Sequence, residues 1–487
     1  MRAKVRFFDG FFVVGVLGWV VMWAMCPLAT AADPPAKEAP KSVAITLYPA
    51  AEPQPALKYQ LLPPLLDRRP GNAAVWWNRI PAQRKQFFVD VDRAFDSQGV
   101  INQWMKIPLG DPREKVYREK ELTKTIPMIR DRVVFADMER AARFESCDWQ
   151  LPIHEGNVIA MLLPEVQQSR LYARLLSAKA RLEIAEGKYG EAVRTLQTGY
   201  AESRHVAQGP TLINALVGVA IAGIMDDRVQ EWIQRSDSPN LYWALSTLPK
   251  PLVDFRPGLE AESNLLYLQF PELRGIDKKQ MSPEEWNRWY NRLWSLVQLE
   301  NSKKSIPKSP KHYYAAAKRY LIAQGHTAAE VDAMSKAQAV VLHWVHRYQS
   351  LSNDCFKWFL SPAADISDRL EELRKQDQSL AQENPLAATL LPTIVAAKNA
   401  EVRGQWTLAR LRVLEALRLY AATHDGRWPD RLSDITAVPV PKNPFDDKPF
   451  IYHRDGDRAT LTSEHGPTGL PWQYDLTLKG KETNTPR

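Results

Sequence analysis

Cysteine is scarce, with three residues in 487, and one of them, Cys26, lies in the apolar N-terminal segment. Cys147 and Cys355 remain, far apart in sequence. An oxidising compartment permits a bridge between them, but two such residues make no disulfide framework and read as buried thiols. Glycine is outnumbered by proline, 22 to 36, and pairs such as Pro34-Pro35 and Pro63-Pro64 suit stiff connectors between packed helices. Long blocks of one charge are missing too. The formal net charge is +8, part of it from Arg2, Lys4 and Arg6 against Asp9, and elsewhere basic residues mix with acidic ones, as in 111–120 (DPREKVYREK). A nucleic-acid binder concentrates positive charge in a stripe, so no nucleic acid is expected as partner. A mild positive balance suits contact with a membrane surface or an acidic polymer.

Beyond the N-terminus no apolar run reaches the ~20 residues of a spanning helix. The most apolar, Leu212–Met225, is short, interrupted by Asn214, and reads as a core helix. GxSxG, a Gly-rich phosphate loop, CxxC and HExxH are all absent. Acyl transfer, nucleotide binding, dithiol chemistry and zinc proteolysis therefore lack their sequence marks, and no cofactor is expected.

What is present begins at residue 1. Arg2, Lys4 and Arg6 precede the uncharged stretch Phe11–Met25; Pro27 breaks it, and Ala29-Thr30-Ala31 offers small residues at a signal-peptidase spacing. Residues 1–31 thus read as a signal peptide, giving a periplasmic or secreted protein. The alternative is an inner-membrane anchor over residues 11–29. A Pro-rich linker follows at 32–56, containing a short extended piece, Val43–Tyr48.

Hydrophobicity at 45% and charge at 25% fit a folded chain, and its periodicity is helical. Val166, Leu171, Leu175, Ala178, Leu182 and Ala185 share one face, Gly187 ends that helix, and Tyr189, Ala192, Val193 and Leu196 begin the next. This GKYGEAVRTL turn resembles one hairpin of a tetratricopeptide-type repeat. Ser282, Pro283 and Glu285 form a helix-entry signal, and Trp286, Trp289, Tyr290, Leu293, Trp294 and Val297 follow on one face. Further helices are expected over 328–359 and 401–420, the second ending at His424-Asp425-Gly426. Phe450–His453 and Arg458–Leu461 then flank Asp455-Gly456-Asp457 as a β-hairpin. The fold class expected is mainly α, a weakly TPR-like helical-hairpin body with a small C-terminal α+β module. Its boundaries are a helical domain at 57–260, a helical middle region at 261–400, the module at 401–463 and a flexible tail at 464–487.

Chemistry-bearing residues are few. His154-Glu155 after Cys147 places a thiol near an imidazole, but no third orienting group is identifiable. His343 and His346, at i, i+3, share a helix face and offer two of the ligands a zinc site needs. Asp455 and Asp457, with Asp446 and Asp447, could give oxygens to calcium, although turn aspartates also serve the backbone. Tryptophans are numerous, 16 in all. At helical spacing they read as core, and exposed ones would be needed to stack on sugars.

Two stretches resemble known families. Across 45–256, PALKYQLLPPLLDRRPGNAAVWW, CDWQLP, SAKARLEIAEGKYGEAVRTLQTGYAESRHVAQGPTLINALVG and PNLYWALSTLPKPLVDFRPGLE resemble a family of exported proteins of planctomycete bacteria. That resemblance implies export and supplies no reaction. Across 414–461, LEALRLYAATHDGRWPDRLSDI and PKNPFDDKPFIYHRDGDRATL are similar to the globular part of major pseudopilins of type II secretion. The chain departs from that family at its N-terminus, where Gly15 stands in place of the prepilin glutamate, and in the loop 463–467, poor in the carboxylates that hold pseudopilin calcium. The function expected is a non-enzymatic exported scaffold or assembly protein with a partner in the cell envelope. The alternatives are an exported hydrolase using His154 and Glu155, or a carbohydrate-binding envelope protein.

Overall fold

The computed structural model describes residues 42–156, 158–300, 307–366, 372, 380, 382–390, 392–466 and 473–480. The chain is mainly helical with a small C-terminal sheet region. It divides into two compact units: a larger one from the described parts of Asp33–Leu151, Leu163–Gly258 and Asn399–Arg487, and a smaller one from Pro152–Leu162 and Leu259–Lys398. Strands are β1 (Ser42–Leu47), β2 (Arg69–Asn72), β3 (Phe144–Ser146), β4 (Ile451–Asp455), β5 (Arg458–Thr462) and β6 (Gln473–Leu478). The helices used below are α1 (Ala74–Gln83), α2 (Arg132–Ala142), α3 (Pro164–Ala185), α4 (Tyr189–Ala207), α5 (Leu212–Ile233), α6 (Pro283–Glu300), α7 (Pro310–Ala323), α8 (Lys336–Phe359) and α9 (Pro392–Thr423); shorter helices are named by their residues.

In the larger unit α3 and α4 form a hairpin, and α5 packs against both. Gly187 makes the turn at a φ of 69°, a conformation that costs other residues the clash of a Cβ. Tyr189 then closes the hairpin end, its ring on edge to Trp232 at 4.6 Å and its hydroxyl donating to Asp237 at 2.6 Å. The four-stranded sheet runs β1-β6-β5-β4. β4 and β5 form an antiparallel hairpin with Asp455 opposite Arg458, β6 is antiparallel to β5, and β1 is parallel to β6. The extended piece near residue 43 is thus an edge strand of the C-terminal sheet. The flexible tail expected from 464 is interrupted by β6, because Tyr474 and Leu476 alternate onto the core face. That face packs on α9 through Trp406, whose ring lies 6.3 Å from both Phe450 and Tyr474.

In the smaller unit α6 opens with the expected cap: Glu285 N–H donates to Ser282 Oγ and Ser282 N–H to Glu285 Oε2. Its aromatic face meets Trp344 of α8, with Tyr290 at 5.3 Å and Trp294 at 6.4 Å, and Tyr313 of α7 joins at 5.2 Å. None of the described tryptophans is exposed, so the requirement for sugar stacking is not met among them.

Among the described residues no helix is long and apolar enough to cross a membrane. This corrects the membrane reading for those residues, and the anchored alternative is not carried further. Residues 11–29, where that anchor was placed, lie outside the described residues with the rest of 1–31.

Candidate functional site

The residues singled out in the sequence fall into two groups that belong to different units. Cys147, in the larger unit, is buried and in no disulfide. Its N–H donates to Gln208 Oε1 at 2.6 Å, and burial, with Asp148 beside it, pushes the thiol well above its ordinary pKa. A thiol held protonated is a poor nucleophile. His154 and Glu155 belong to the smaller unit and are exposed in a turn. Neither side chain has a hydrogen-bond or ion-pair partner among the described residues.

His343 and His346 share a face of α8, as their spacing predicts. His343 is buried with its ring 4.8 Å from that of Tyr320, and its Nδ1 has no partner among the described residues. Burial, then Arg347, Arg319 and His346, pulls its pKa down to about 4; burial also lowers that of His346. No third metal-ligating side chain joins them among the described residues.

Asp455 and Asp457 flank Gly456, which turns the hairpin at a φ of 60°. The backbone does the work there: the Asp457 carbonyl accepts from Trp428 Nε1 at 2.9 Å. Asp446 instead meets two residues from beyond the hairpin. Asp446, Glu464 and His465 hold one donor atom each within 4.8 Å of one another. Asn443 fixes the arrangement, donating from Nδ2 to the His465 carbonyl and accepting at Oδ1 from Phe445 N–H. Lys448 Nζ lies 2.6 Å from Glu464, and His465 Nδ1 lies 3.1 Å from Asp446. Lys448 thus answers one of these carboxylates, and the His465 ring lies against the other.

A basic surface that no motif announced flanks the short β2–β3 ribbon. One recess, about 110 Å³, is lined by Arg68 and Arg204 with Glu145, over walls of Leu62, Pro63 and Phe144. A second, about 420 Å³, is lined by Arg69, Arg140 and Arg143 with Glu139, beside Trp76. Trp76 stacks on Phe144 at 6.2 Å, and the guanidiniums of Arg140 and Arg79 lie 4.7 and 5.3 Å from its ring centre. His205 closes the floor of the smaller recess, but both ring nitrogens are engaged: Nδ1 accepts from Trp77 Nε1 at 3.2 Å, and Nε2 lies 2.8 Å from the Phe144 carbonyl. Burial lowers its pKa to about 4, so it is neutral at pH 7. The one sequence signal was Arg204 itself, a cation inside the apolar-rich stretch 199–207 (GYAESRHVA).

Comparison of the chain with protein-family models, with curated proteins and with solved structures finds no match.

Proposed function

We propose that the chain is a non-enzymatic exported scaffold that holds a partner protein. The observation that carries this reading is the pairing of an inert set of reactive residues with an open, arginine-rich surface. The Cys147 thiol is buried and protonated, and His154 and Glu155 are exposed without an orienting partner among the described residues. Nucleophilic catalysis needs a nucleophile, a base and a group that orients the base. The helical hairpin α3–α4 takes its finer reading, a tetratricopeptide-type unit, within this proposal. So do the kinship with exported planctomycete proteins and the pseudopilin-like character of 414–461. Export itself is supported by the sequence of residues 1–31.

The test is gentle crosslinking of tagged protein in its native envelope, followed by mass spectrometry of what is captured and of the N-terminus. A stoichiometric partner, retained when His154 and Glu155 are both changed to alanine, is the expected result. Recovery of the protein alone, under conditions that capture known complexes, would sink the scaffold reading. Loss of function in the double variant with folding intact would favour hydrolysis instead.

A further inference from the structure

Arg204 projects from α4 and is half-buried. Among the described residues no carboxylate comes within the 4.0 Å of an ion pair with Arg204, Arg68, Arg69 or Arg143, whereas Arg140, which lines the second recess, is paired with Asp137. Taking a guanidinium out of water is costly unless an oxyanion replaces the water. Burial and then the charge of Arg68 pull Arg204 below the ordinary guanidinium pKa, and no carboxylate counters them. Among the described residues the Arg68 guanidinium meets a carbonyl alone, donating from Nε to Pro63 at 3.0 Å. Two guanidiniums thus face one recess with Glu145 alone as counter-charge, an arrangement that an added oxyanion improves through the planar fork of each arginine.

We propose that the recess between Arg68 and Arg204 is a docking site for carboxylate side chains of an acidic segment on a partner protein, with the neighbouring Arg69–Arg143 recess taking a second carboxylate of the same segment. This deepens the scaffold reading and rests on it. Size and surroundings select the ligand. About 110 Å³ admits a single small anionic group, and the apolar walls of Leu62, Pro63 and Phe144 accept the methylenes behind it. Immediately before Arg68 the turn Leu65–Asp67 exposes Leu65 at 73% and Leu66 at 97%, an apolar contact that a free ion would leave unused. A nucleic-acid strand would want an aromatic face for its bases. Trp76 is already covered by Phe144, Arg79 and Arg140.

The experiment uses the full chain and a fluorescein-labelled hexaglutamate peptide, read by fluorescence anisotropy at low and high salt. Saturable, salt-sensitive binding is expected, weakened at least about tenfold by Arg204→Gln, as for loss of one partner of a desolvated charge pair. Arg68→Gln, at an exposed position, should weaken it in the same direction without touching the core, and Arg256→Gln, outside both recesses, should leave it unchanged. Thermal melts of each variant confirm folding. Three results would overturn the proposal: no binding, binding indifferent to both arginines, or tighter binding of inorganic phosphate or oligothymidylate with the same arginine dependence. Failure here with a partner still captured by crosslinking removes the recess and leaves the scaffold reading. Hexaglutamate binding with the stated arginine dependence but no captured partner does the reverse.

Discussion

Asp226 shows how one buried side chain can set the pH response of the larger unit. It is almost wholly buried on α5 and accepts a hydrogen bond from the Tyr200 hydroxyl at 2.7 Å. Loss of water outweighs that bond and raises its pKa to about 7. The unfolded chain releases the same proton near 4. The folded state therefore binds it more tightly, and stability contributed by this group is lost as pH rises from about 4 to about 7. Asp226→Asn, which keeps an acceptor for Tyr200, should gain on the wild type across that window. The gain should reach about 4 kcal/mol at 1.36 kcal/mol per pKa unit. Urea denaturation at a series of pH values measures it. A stability difference that stays flat from pH 4 to 7 would mean that Tyr200 and Arg410 hold the carboxylate ionised in the fold.

Helix packing explains why small residues fall where they do. A Cβ on Gly218 of α5 would lie 2.7 Å from the Ser203 carbonyl oxygen of α4 and 2.9 Å from Ala207 Cβ. Backbone cannot step aside, so Gly218→Ala should cost about 1–3 kcal/mol through overpacking. Gly223, on the same helix, has nothing within 4 Å of its added Cβ. Gly223→Ala should instead stabilise by up to about 1 kcal/mol, the helix-propensity difference. Thermal melts of the two variants should move in opposite directions, and a shared direction would refute this account of the α4–α5 contact. Elements of this kind were the legible part of the sequence. The Gly187 turn, the Ser282–Glu285 cap and the Asp455-Gly456-Asp457 hairpin are fixed by neighbours within a few residues, so local chemistry announces them. Leu212–Met225 was readable as core, but α5 continues to Ile233. What the sequence did not show is that Asp226 and Arg228 of that extension are buried, because Tyr200 and Ser177, which bond to them, lie on other helices. The arginine recesses stayed hidden for the same reason: Arg68 and Arg204 meet only after folding, as do Arg69 and Arg143, whereas His343 and His346 stood out by spacing and gained no further ligand among the described residues.

At the scale of the whole chain, the C-terminal sheet depends on residues from its opposite end. β6 pairs along one side with β5 and along the other with β1, from Ser42 opposite Gln473 to Leu47 opposite Leu478. The next turn of chain is tied in as well. Arg418, wholly buried on α9, donates from Nε to the Tyr48 carbonyl at 3.0 Å and from Nη2 to Ser238 at 2.8 Å, with Glu415 2.9 Å away. Asn240 and Leu241 bond in turn to Glu415, and Ala50 N–H donates to the Arg418 carbonyl. Three stretches, near residues 48, 240 and 415, thus satisfy one another's polar groups. Removing two of them would leave the third with a buried charge and open sheet edges, each a substantial penalty. The fragment 399–487 made alone should therefore fail to fold, although a helix and a hairpin are written clearly in it. Its amide NMR spectrum should be narrow, and co-expression with 33–258 should restore dispersion and slow hydrogen exchange across β5 and β6. A dispersed spectrum from 399–487 by itself would show that the hairpin and α9 suffice, and that β1 and the Arg418 contacts decorate a module already stable on its own.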